Sequence, residues 1–335
     1  MSVAISIILP VYNEENCVSN MLDDIRNQTF RNFECLVVDD GSSDSSGEIC
    51  DRYAQSDPRI RVIHIPNGGV SHARNTALDA AEGDYITFVD ADDRLAENCL
   101  EVLYQAICEE DDIAICGFHV VFSGKNERII HPPCLGRYQM RELIPTFARI
   151  QRETGIYGYC WGKLVSRKCI QNSRFREGIR LAEDLDFYLQ IYSRIESIVF
   201  VSQPCYTYSV ISTNEAGLLD DYAIDYFTQL KIRIRMWDFL KRYPENSAEN
   251  DQIMKETIQK YTYFCLFYCP LNQLRQMTEE LYEIQRNQPL TFRDIKVSGM
   301  KKYILRMFER HQVKWIRRTL QVYRSVRKFV RGNGR

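Results

Sequence analysis

Short apolar runs alternate with segments of helical spacing over the first 115 residues. The runs are continuous, as in strands covered on both faces, rather than alternating between apolar and polar positions. They predict strands at residues 4–9, 33–38, 61–65, 85–89 and 112–118, and helices at 16–27, 45–53, 71–81 and 97–109. Ser45 and Glu48 have the spacing of a capping box at the second helix. Such β–α alternation is typical of an α/β fold with a mostly parallel sheet between layers of helices.

The pattern changes further along the chain. Between residues 116 and 215, short strands are mixed with one helix at 140–151 and a turn-rich stretch around Trp161. Helical spacing then dominates, at 220–241, 251–268, 272–286 and 299–331. Because 335 residues exceed what one compact core usually needs, we predict two domains, residues 1–215 and a helical C-terminal region at 216–335.

The composition is that of an ordinary globular protein, with 45% hydrophobic and 26% charged residues. It excludes collagen-like, disordered and small disulfide-rich classes. The 12 cysteines are scattered without a CxxC pair, which favours free thiols in a reducing compartment. The apolar run at residues 3–9 is too short for a signal peptide or a membrane span, and no later run approaches 18 residues. These features predict a cytoplasmic protein.

Residues that can bind a charged ligand follow four of the predicted strands. They are Pro10, Tyr12 and Glu14, then Asp40, then Ser71 and Arg74 behind a glycine turn, and finally Asp90 and Asp92. In open α/β sheets, the carboxyl ends of parallel strands meet at one edge, where ligands bind. We therefore expect these side chains to gather in one site.

The residue types at this edge fit a nucleotide diphosphate. Tyr12 can stack on a base, and Asp40 can accept a hydrogen bond from a base N–H group. Residues 71–75 begin a helix whose free N–H groups favour an anion, and Arg74 suits either phosphate or neighbouring carboxylates. Each of these residues singly is more typical of a turn or a helix cap, but their combination predicts a nucleotide-binding site.

Asp90 and Asp92 add carboxylate oxygens two residues apart. Asp90 can serve a ribose hydroxyl, and the pair can ligate a hard divalent ion, Mn²⁺ or Mg²⁺, beside the diphosphate. No GxGxxG follows the first strand, and no GxxxxGK[ST] occurs in the chain. Their absence disfavours dinucleotide oxidoreductases and P-loop NTPases.

Four segments together resemble the inverting family 2 glycosyltransferases of the GT-A fold, of the type that builds bacterial cell-surface or capsular polysaccharides. They are PVYNE at 10–14, VVDDGS at 37–42, GVSHARN at 69–75 and DADD at 90–93. The resemblance covers residues 1–210 and is most specific over 1–95. It implies a GT-A (nucleotide-diphospho-sugar transferase) fold, a nucleotide-sugar donor and a DxD metal motif that binds Mn²⁺ or Mg²⁺. It also implies a nucleotide-binding half at 1–115 and an acceptor half at 116–215.

The resemblance further implies a catalytic carboxylate in the acceptor half. RLAEDLDF at 180–187 matches the family's Glu-Asp motif. Asp184 is therefore expected to be the base that takes the proton of the acceptor hydroxyl, with Asp186 as the alternative. Glu183 is expected beside it on the acceptor side. The two acidic residues would equally suit the first turn of a helix.

Trp161 and Lys163 resemble the family's Trp-x-Lys-Leu segment on the acceptor side. An exposed Trp161 would offer a face on which a sugar ring stacks, whereas a buried one would stabilise the small sheet, and the sequence leaves both open. Tyr206 and Tyr208 resemble the closing strand, in which Ser209 replaces the family's basic residue. That replacement removes the side chain expected to contact a pyrophosphate from this strand.

The net charge of -2 hides a strong asymmetry. Residues 301–335 contain 12 Lys and Arg and a single acidic residue, Glu309, a charge of +11 that leaves -13 for residues 1–300. Apolar residues recur at helical spacing through 300–331, so we predict one basic amphipathic helix that binds an anionic membrane surface. The alternatives are packing on the acidic catalytic domain and an oligomer contact. RNA binding ranks third, and no nucleic-acid partner is expected, because no RNA-binding motif accompanies the charge.

The leading prediction is a metal-dependent inverting glycosyltransferase, peripheral on the inner face of the plasma membrane. It would move a hexose or N-acetylhexosamine from a nucleotide-sugar, with UDP-sugars preferred, to a hydroxyl of a growing glycan, lipid-linked or free. The alternatives are a polyprenyl-phosphate sugar synthase, whose phosphate acceptor needs such a base less strictly, and a sugar-nucleotide-binding scaffold without turnover. A nucleotidyltransferase is disfavoured because residues 10–15 contain no Gly, Lys or Arg.

Overall fold

The computed structural model describes residues 3–107, 112–122, 127–210, 223–287 and 299–332. The chain divides into two units, residues 1–213 with 239–247, and residues 214–238 with 248–335. The domain boundary predicted at 215 lies outside the described residues, as do the predicted helix end at 109 and the predicted helix start at 220.

The first unit is built on one mixed sheet. Its described strands are β1 (Ile5–Val11), β2 (Phe33–Asp39), β3 (Ile60–His64), β4 (Tyr85–Phe88), β5 (Arg94–Leu95), β6 (Ile113–Phe122), β7 (Glu127–Ile130), β8 (Gly136–Gln139), β9 (Lys163–Ser166) and β10 (Ser197–Val210). They lie in the order β3-β2-β1-β4-β9-β6-β10-β5, with β7 beside β6 and β8 beside β10. The pairs β3–β2, β2–β1, β1–β4 and β6–β10 are parallel. The predicted α/β class with a mostly parallel central sheet is confirmed.

The parallel register of the first strands aligns their carboxyl ends. Val11 of β1 lies opposite Asp39 of β2, and Asp39 lies opposite His64 of β3. The segments that follow these strands therefore emerge side by side. β1 and β2 are buried almost throughout, because a parallel sheet carries helices on both faces and needs apolar side chains on both.

Helices of the first unit follow the predicted alternation. They are α1 (Val18–Arg26), α2 (Ser46–Ser56), α3 (Val70–Ala80), α4 (Cys99–Ala106), α5 (Met140–Leu143), α6 (Phe147–Thr154), α7 (Arg167–Ile170) and α8 (Glu183–Tyr192). The capping box predicted at Ser45 is wrong, since Ser45 makes no side-chain cap bond. Asp44 accepts hydrogen bonds from the Ser46 amide and hydroxyl instead. The helix predicted at 140–151 is broken by a 3₁₀ turn over Ile144–Thr146, because Pro145 has no amide hydrogen to donate.

The remaining described helices lie mostly in the second unit. They are α9 (Ala223–Leu240), α10 (Ala248–Tyr268), α11 (Leu274–Asn287), α12 (Met300–Glu309) and α13 (Val313–Gly332). The single helix predicted through 300–331 is therefore wrong. His311 takes a left-handed conformation with φ 55°, and the His311 and Gln312 amides donate to the carbonyls of Phe308 and Met307. These two bonds form a Schellman motif, which ends α12.

The apolar side of α12 and α13 faces its own unit. Ile304, Phe308, Ile316 and Leu320 are buried, and the Tyr282 ring of α11 stacks on Phe308 with centroids 4.5 Å apart. The expectation that this apolar face meets a membrane is wrong for these residues, because other helices already cover them. None of the described helices has the length and the hydropathy needed to cross a bilayer.

Candidate active site

A cavity of about 440 Å³ opens where the first strands end. Seven of the residues singled out in the sequence line it: Pro10, Tyr12, Glu14, Asp40, Arg74, Asp90 and Asp92. The rest of its wall is formed by Val11, Asn67, Gly69, Val70, Ala73 and Ala91. The structure thus brings the residues that follow four different strands to one edge of the sheet.

The loop after β1 is tied to the loop after β2. The Asn13 amide donates to the Ser42 hydroxyl at 3.1 Å, and the Glu14 amide donates to the Ser46 hydroxyl at 2.7 Å. Between these anchors and β1, the side chain of Tyr12 remains 48% exposed. Its ring therefore borders the cavity and is open to a planar ligand.

Asp40 organises the glycine turn at the back of the cavity. Its carboxylate accepts hydrogen bonds from the amides of Gly68 and Gly69, each at 2.8 Å. The Asn67 side chain donates to the same carboxylate at 3.3 Å. The neighbouring Gly41 needs to be glycine, because it has φ +70° and a Cβ there would lie 2.8 Å from the Asn67 amide nitrogen. Asp40 thus holds the turn, which the sequence did not predict, and its contact with a base stays a prediction.

The turn leads directly into α3. Gly69 precedes the first helical residue with φ +87°, and the start of the helix contributes Gly69, Val70 and Ala73 to the cavity wall. A helix N-terminus that opens onto a cavity favours an anion there. Ser71 is buried and does not line the cavity, and its hydroxyl has no hydrogen-bond partner among the described residues.

Arg74, one turn into α3, is the centre of the site. Its guanidinium is buried, with 3% of the side chain exposed. Nη2 donates to Asp90 Oδ1 at 2.9 Å, and Nη1 donates to Asp184 Oδ1 at 2.7 Å and to Glu183 Oε1 at 3.3 Å. One side chain therefore joins the DxD turn after β4 to the first residues of α8.

Burial, with neighbouring carboxylates as a further cause, raises the pKa values of Asp90, Asp92 and Glu183. Burial raises the pKa of Asp90, and the Arg74 guanidinium offsets only part of the effect. Burial together with the charge of Asp90 raises the pKa of Asp92. Burial and the charge of Asp184 raise the pKa of Glu183 to about 7. A site with more buried carboxylates than cations favours one further cation.

Asp184 is held on both of its oxygens. Oδ1 accepts from Arg74, and Oδ2 accepts from the Cys160 amide at 3.2 Å. The Cys160 carbonyl in turn accepts from the Tyr188 hydroxyl at 3.1 Å. Ala182, just before α8, takes a left-handed conformation with φ 64°, which is unfavourable for alanine. The chain therefore accepts local strain where it presents Glu183 and Asp184.

Asp186, the alternative base, is in a different environment. Its side chain is 1% exposed, and its carboxylate pairs with Arg176 at 3.4 Å. A group this buried cannot reach an acceptor hydroxyl without a rearrangement of α8. The geometry therefore favours Asp184 over Asp186.

Comparison with known sequences places this site in a family. The sequence model of glycosyl transferase family 2 matches residues 6–169. The chain is 37% identical over 213 residues to EpsJ of Bacillus subtilis, named an uncharacterized glycosyltransferase, covering 61% of this chain and 60% of EpsJ. It is 30% identical over 221 residues to the glycosyltransferase GlyG of Streptococcus pneumoniae, covering 62% of this chain and 71% of GlyG. The chain belongs to glycosyl transferase family 2.

A solved structure shows the same fold as this family 2 chain. S. aureus TarS 1–349, in complex with UDP-GlcNAc, aligns with a TM-score of 0.67 over 96% of this chain and 92% of that chain, at 22% identity. The predicted GT-A architecture is confirmed. The chain spans 60% of the length of EpsJ and 30% of the length of a longer curated relative.

Trp161 is buried in the core and does not offer an exposed ring face to a sugar. It is 3% exposed and stacks with Tyr159 and Tyr206, with centroids 4.4 and 4.6 Å away. The exposed alternative for Trp161 is therefore wrong. Lys163 is buried as well, with its ammonium donating to the Tyr159 carbonyl and lying 4.4 Å from the centre of the Tyr188 ring. Both residues support the backbone near Cys160, whose amide binds Asp184. Neither side chain is exposed where it could contact an acceptor directly.

Asp93 and Tyr206 form a second anchor of the DxD turn, which no pattern in the sequence indicates. The Tyr206 hydroxyl donates to Asp93 Oδ2 at 2.7 Å and accepts from the Asp90 amide at 3.0 Å. The Ser209 amide donates to Asp93 Oδ1 at 2.8 Å. Burial raises the pKa of Asp93 to about 8, against these hydrogen bonds. The sequence does show three acidic residues within 90–93, but nothing in it indicates that Asp93 is the buried one.

We expect Tyr206→Phe to lower the free energy of unfolding by about 1–3 kcal/mol, the usual result of leaving buried hydrogen-bonding groups without a partner. The substitution keeps the ring on Trp161 and removes only the hydroxyl. Tyr208→Phe is the matched control, because its ring also stacks on Trp161, at 5.3 Å. Urea unfolding compares the two, and equal losses would show that the hydroxyl cluster adds no specific stability.

Proposed function

We propose that this chain is a metal-dependent inverting glycosyltransferase that acts in polysaccharide assembly. The observation that carries the proposal is the Arg74 guanidinium, which binds Asp90 in the wall of the cavity and Asp184 at the start of α8. One planar group thus spans the distance between a residue suited to hold the donor and a residue suited to activate the acceptor. An inverting displacement needs these two functions on opposite faces of one sugar ring.

The cavity suits a nucleoside diphosphate sugar. The half-exposed Tyr12 ring offers a stacking surface for a base, beside Pro10 and Glu14. The N-terminus of α3, with Gly69 and Val70 in the wall, favours the diphosphate. The complex of TarS with UDP-GlcNAc supports a UDP-hexose or a UDP-N-acetylhexosamine as the donor.

Asp92 and Asp90 fit a divalent cation at this site. Both line the cavity, and the pKa of each is raised by burial and by neighbouring carboxylates, a condition that a bound cation relieves. Carboxylate oxygens beside a diphosphate are the ligands that Mn²⁺ and Mg²⁺ prefer. When bound, such an ion would neutralise the charge that develops on the leaving nucleoside diphosphate.

Asp184 is the proposed general base. Its two oxygens are oriented by Arg74 and by the Cys160 amide, while 18% of the side chain stays exposed. As the acceptor oxygen attacks the anomeric carbon, its proton passes to the Asp184 carboxylate, and the bond from that carbon to the diphosphate breaks with inversion. Glu183 lies beside it, and its pKa of about 7 makes it the nearest competitor for the same role.

Asp184→Asn keeps the shape of the side chain and removes the proton acceptor. We expect transfer to a hydroxyl acceptor to fall by about 10²–10⁴-fold, while donor binding measured by calorimetry in Mn²⁺ changes little. The assay is a panel of nucleotide-sugars with Mn²⁺ and lipid-linked glycan acceptors, read as nucleoside diphosphate release. Glu183→Gln is the matched control and should retain far more activity than Asp184→Asn.

Other outcomes of this assay would contradict the proposal. Asp92→Ala should abolish the Mn²⁺ dependence of donor binding and of nucleoside diphosphate release. An Asp92→Ala enzyme with unchanged Mn²⁺ dependence would contradict the metal site.

Transfer by Asp184→Asn to a polyprenyl phosphate, at the unmodified rate, would favour a polyprenyl-phosphate sugar synthase. Donor binding with no turnover of any donor would favour a non-catalytic scaffold.

We further propose that the exposed side of α13 binds an anionic membrane surface, as at the inner face of the plasma membrane, where a lipid-linked acceptor would lie. Lys314, Arg317 and Arg318 are exposed there, and Trp315 is 55% exposed beside them. At 100° per residue these four share the side of the helix opposite Ile316. Each basic residue at an anionic leaflet contributes about 1 kcal/mol.

Reversing two of these charges tests the membrane proposal. We expect the double variant Arg317→Glu with Arg318→Glu to bind vesicles containing phosphatidylserine at least about tenfold more weakly at low salt. Co-sedimentation measures the binding, with neutral phosphatidylcholine vesicles as the lipid control. Arg141→Glu with Arg275→Glu reverses two exposed charges elsewhere. An equal loss in that variant, or no binding by the unmodified chain, would contradict the proposal.

A further inference from the structure

Three cysteines from distant parts of the chain meet in the core of the first unit. The Sγ atoms of Cys99, Cys116 and Cys205 all lie within 4.8 Å of one another, and all three residues are buried. Cys99 is the first residue of α4, whereas Cys116 and Cys205 lie on the neighbouring strands β6 and β10. No local pattern in the sequence indicates the cluster, because no two of the three cysteines are close along the chain.

An irregularity in β10 places Cys205 in this cluster. In the β6–β10 pairing, Val201 lies opposite Cys116, Pro204 opposite Gly117 and Tyr206 opposite Phe118, so the register shifts twice. Cys205 falls inside the second shift, without a partner position on β6. A β-bulge of this kind redirects a side chain and is often found next to a functional site.

We propose that Cys99, Cys116 and Cys205 form a binding site for a soft, thiophilic metal ion of the class of Zn²⁺ or Cu⁺. A thiolate sulfur binds such an ion at about 2.3 Å, so three sulfurs around one ion lie about 4 Å apart. The observed cluster needs only small side-chain adjustments to reach that spacing. Thiolate ligands select these ions over hard cations, which separates this site from the carboxylates of the DxD turn.

Two backbone carbonyls lie within reach of the cluster. Cys116 Sγ donates to the Gly162 carbonyl at 3.4 Å, and Cys205 Sγ donates to the Gln203 carbonyl at 3.6 Å. Binding of the ion deprotonates the thiols, so each ligating cysteine releases one proton to solvent and forms one metal–sulfur bond. The carbonyls then lose their S–H donors, while the Gly162 carbonyl keeps its hydrogen bond from the Cys116 amide. A carbonyl oxygen has a second lone pair, which could complete the coordination of the ion.

Lys163 supplies a positive charge to this part of the core. It lies on β9, one residue along from Gly162, whose carbonyl accepts the Cys116 amide at 3.0 Å. The ammonium contacts the Tyr159 carbonyl and the Tyr188 ring, and no carboxylate of the described residues lies within ion-pair distance of it. Three thiolates around a divalent ion carry one net negative charge. A buried cation on the adjacent strand would offset that charge.

An ion in the cluster would stiffen the strands behind the active site. Cys205 immediately precedes Tyr206, whose hydroxyl anchors the turn at Asp90 and Asp93. Cys116 contacts Gly162, which follows the stacked Trp161. We expect the ion to stabilise the fold and, through Tyr206, the turn that carries Asp90.

The test uses the full chain, reduced and stripped of metal, and titrated with Cd²⁺ as the probe. Ligation of Cd²⁺ by thiolates gives an ultraviolet charge-transfer absorption, which we expect to saturate at one equivalent. Cys116→Ser should weaken Cd²⁺ binding by more than about 100-fold, beyond the effect of losing an outer-shell partner. Cys265→Ser replaces a buried thiol of α10 and should bind Cd²⁺ like the unmodified chain.

A second measurement keeps the test decisive if Cys116→Ser folds poorly. The unmodified chain is melted with and without Zn²⁺ and with and without Cu⁺, and each ion is also used to displace Cd²⁺. Displacement by either ion with a higher melting temperature supports the site and identifies the preferred ion. The proposal is overturned if the folded unmodified chain shows no charge-transfer absorption, if Cys116→Ser binds Cd²⁺ as well as Cys265→Ser does, or if neither ion raises the melting temperature.

Discussion

The site depends on the ion pairs between the buried guanidinium of Arg74 and three carboxylates. A charged group removed from water is costly unless it is paired and hydrogen-bonded, and Arg74 meets that condition with three carboxylates, those of Asp90, Glu183 and Asp184. Removal of one partner from a buried pair typically costs about 3–5 kcal/mol. Because these partners lie far apart in the sequence, the same ion pairs that join distant segments of the fold also set the distance between the proposed donor side and the proposed acceptor side.

A layer of buried side chains keeps the partners of Arg74 in place. The Tyr206 hydroxyl fixes the DxD turn, and the Cys160 amide fixes Asp184. Trp161 and Lys163 pack between these two anchors within the first unit. Side chains that are already in position need no rearrangement during a reaction, so buried residues outside the cavity also contribute to the proposed function.

The sequence predicts which segments form strands and helices better than it predicts which strands lie next to each other in the sheet. Apolar runs such as those of β1 and β2 are local signals, and their strand-end residues do line one cavity. The antiparallel insertion of β9 between β4 and β6 depends on long-range pairing that no local pattern contains. For the same reason, the sequence does not show whether Trp161 is exposed. It also does not show that Asp40 holds the glycine turn.

Two other differences have local causes that the hydrophobic pattern hides. Apolar spacing continues through Pro145 and through His311, yet the first lacks an amide donor and the second takes a left-handed conformation that ends α12. Periodicity reports which face of a segment is apolar, not whether the backbone hydrogen bonds continue.

Turnover by Arg74→Lys, at saturating nucleotide-sugar and Mn²⁺, tests the central claim most directly. Lysine keeps the charge, but its single ammonium cannot hold Asp90 and Asp184 in the fork geometry of a guanidinium. A misplacement of about 1 Å costs about 10²-fold in rate, so we predict a loss of at least that size in a chain that still unfolds cooperatively. Turnover within a few-fold of the unmodified chain would contradict the account.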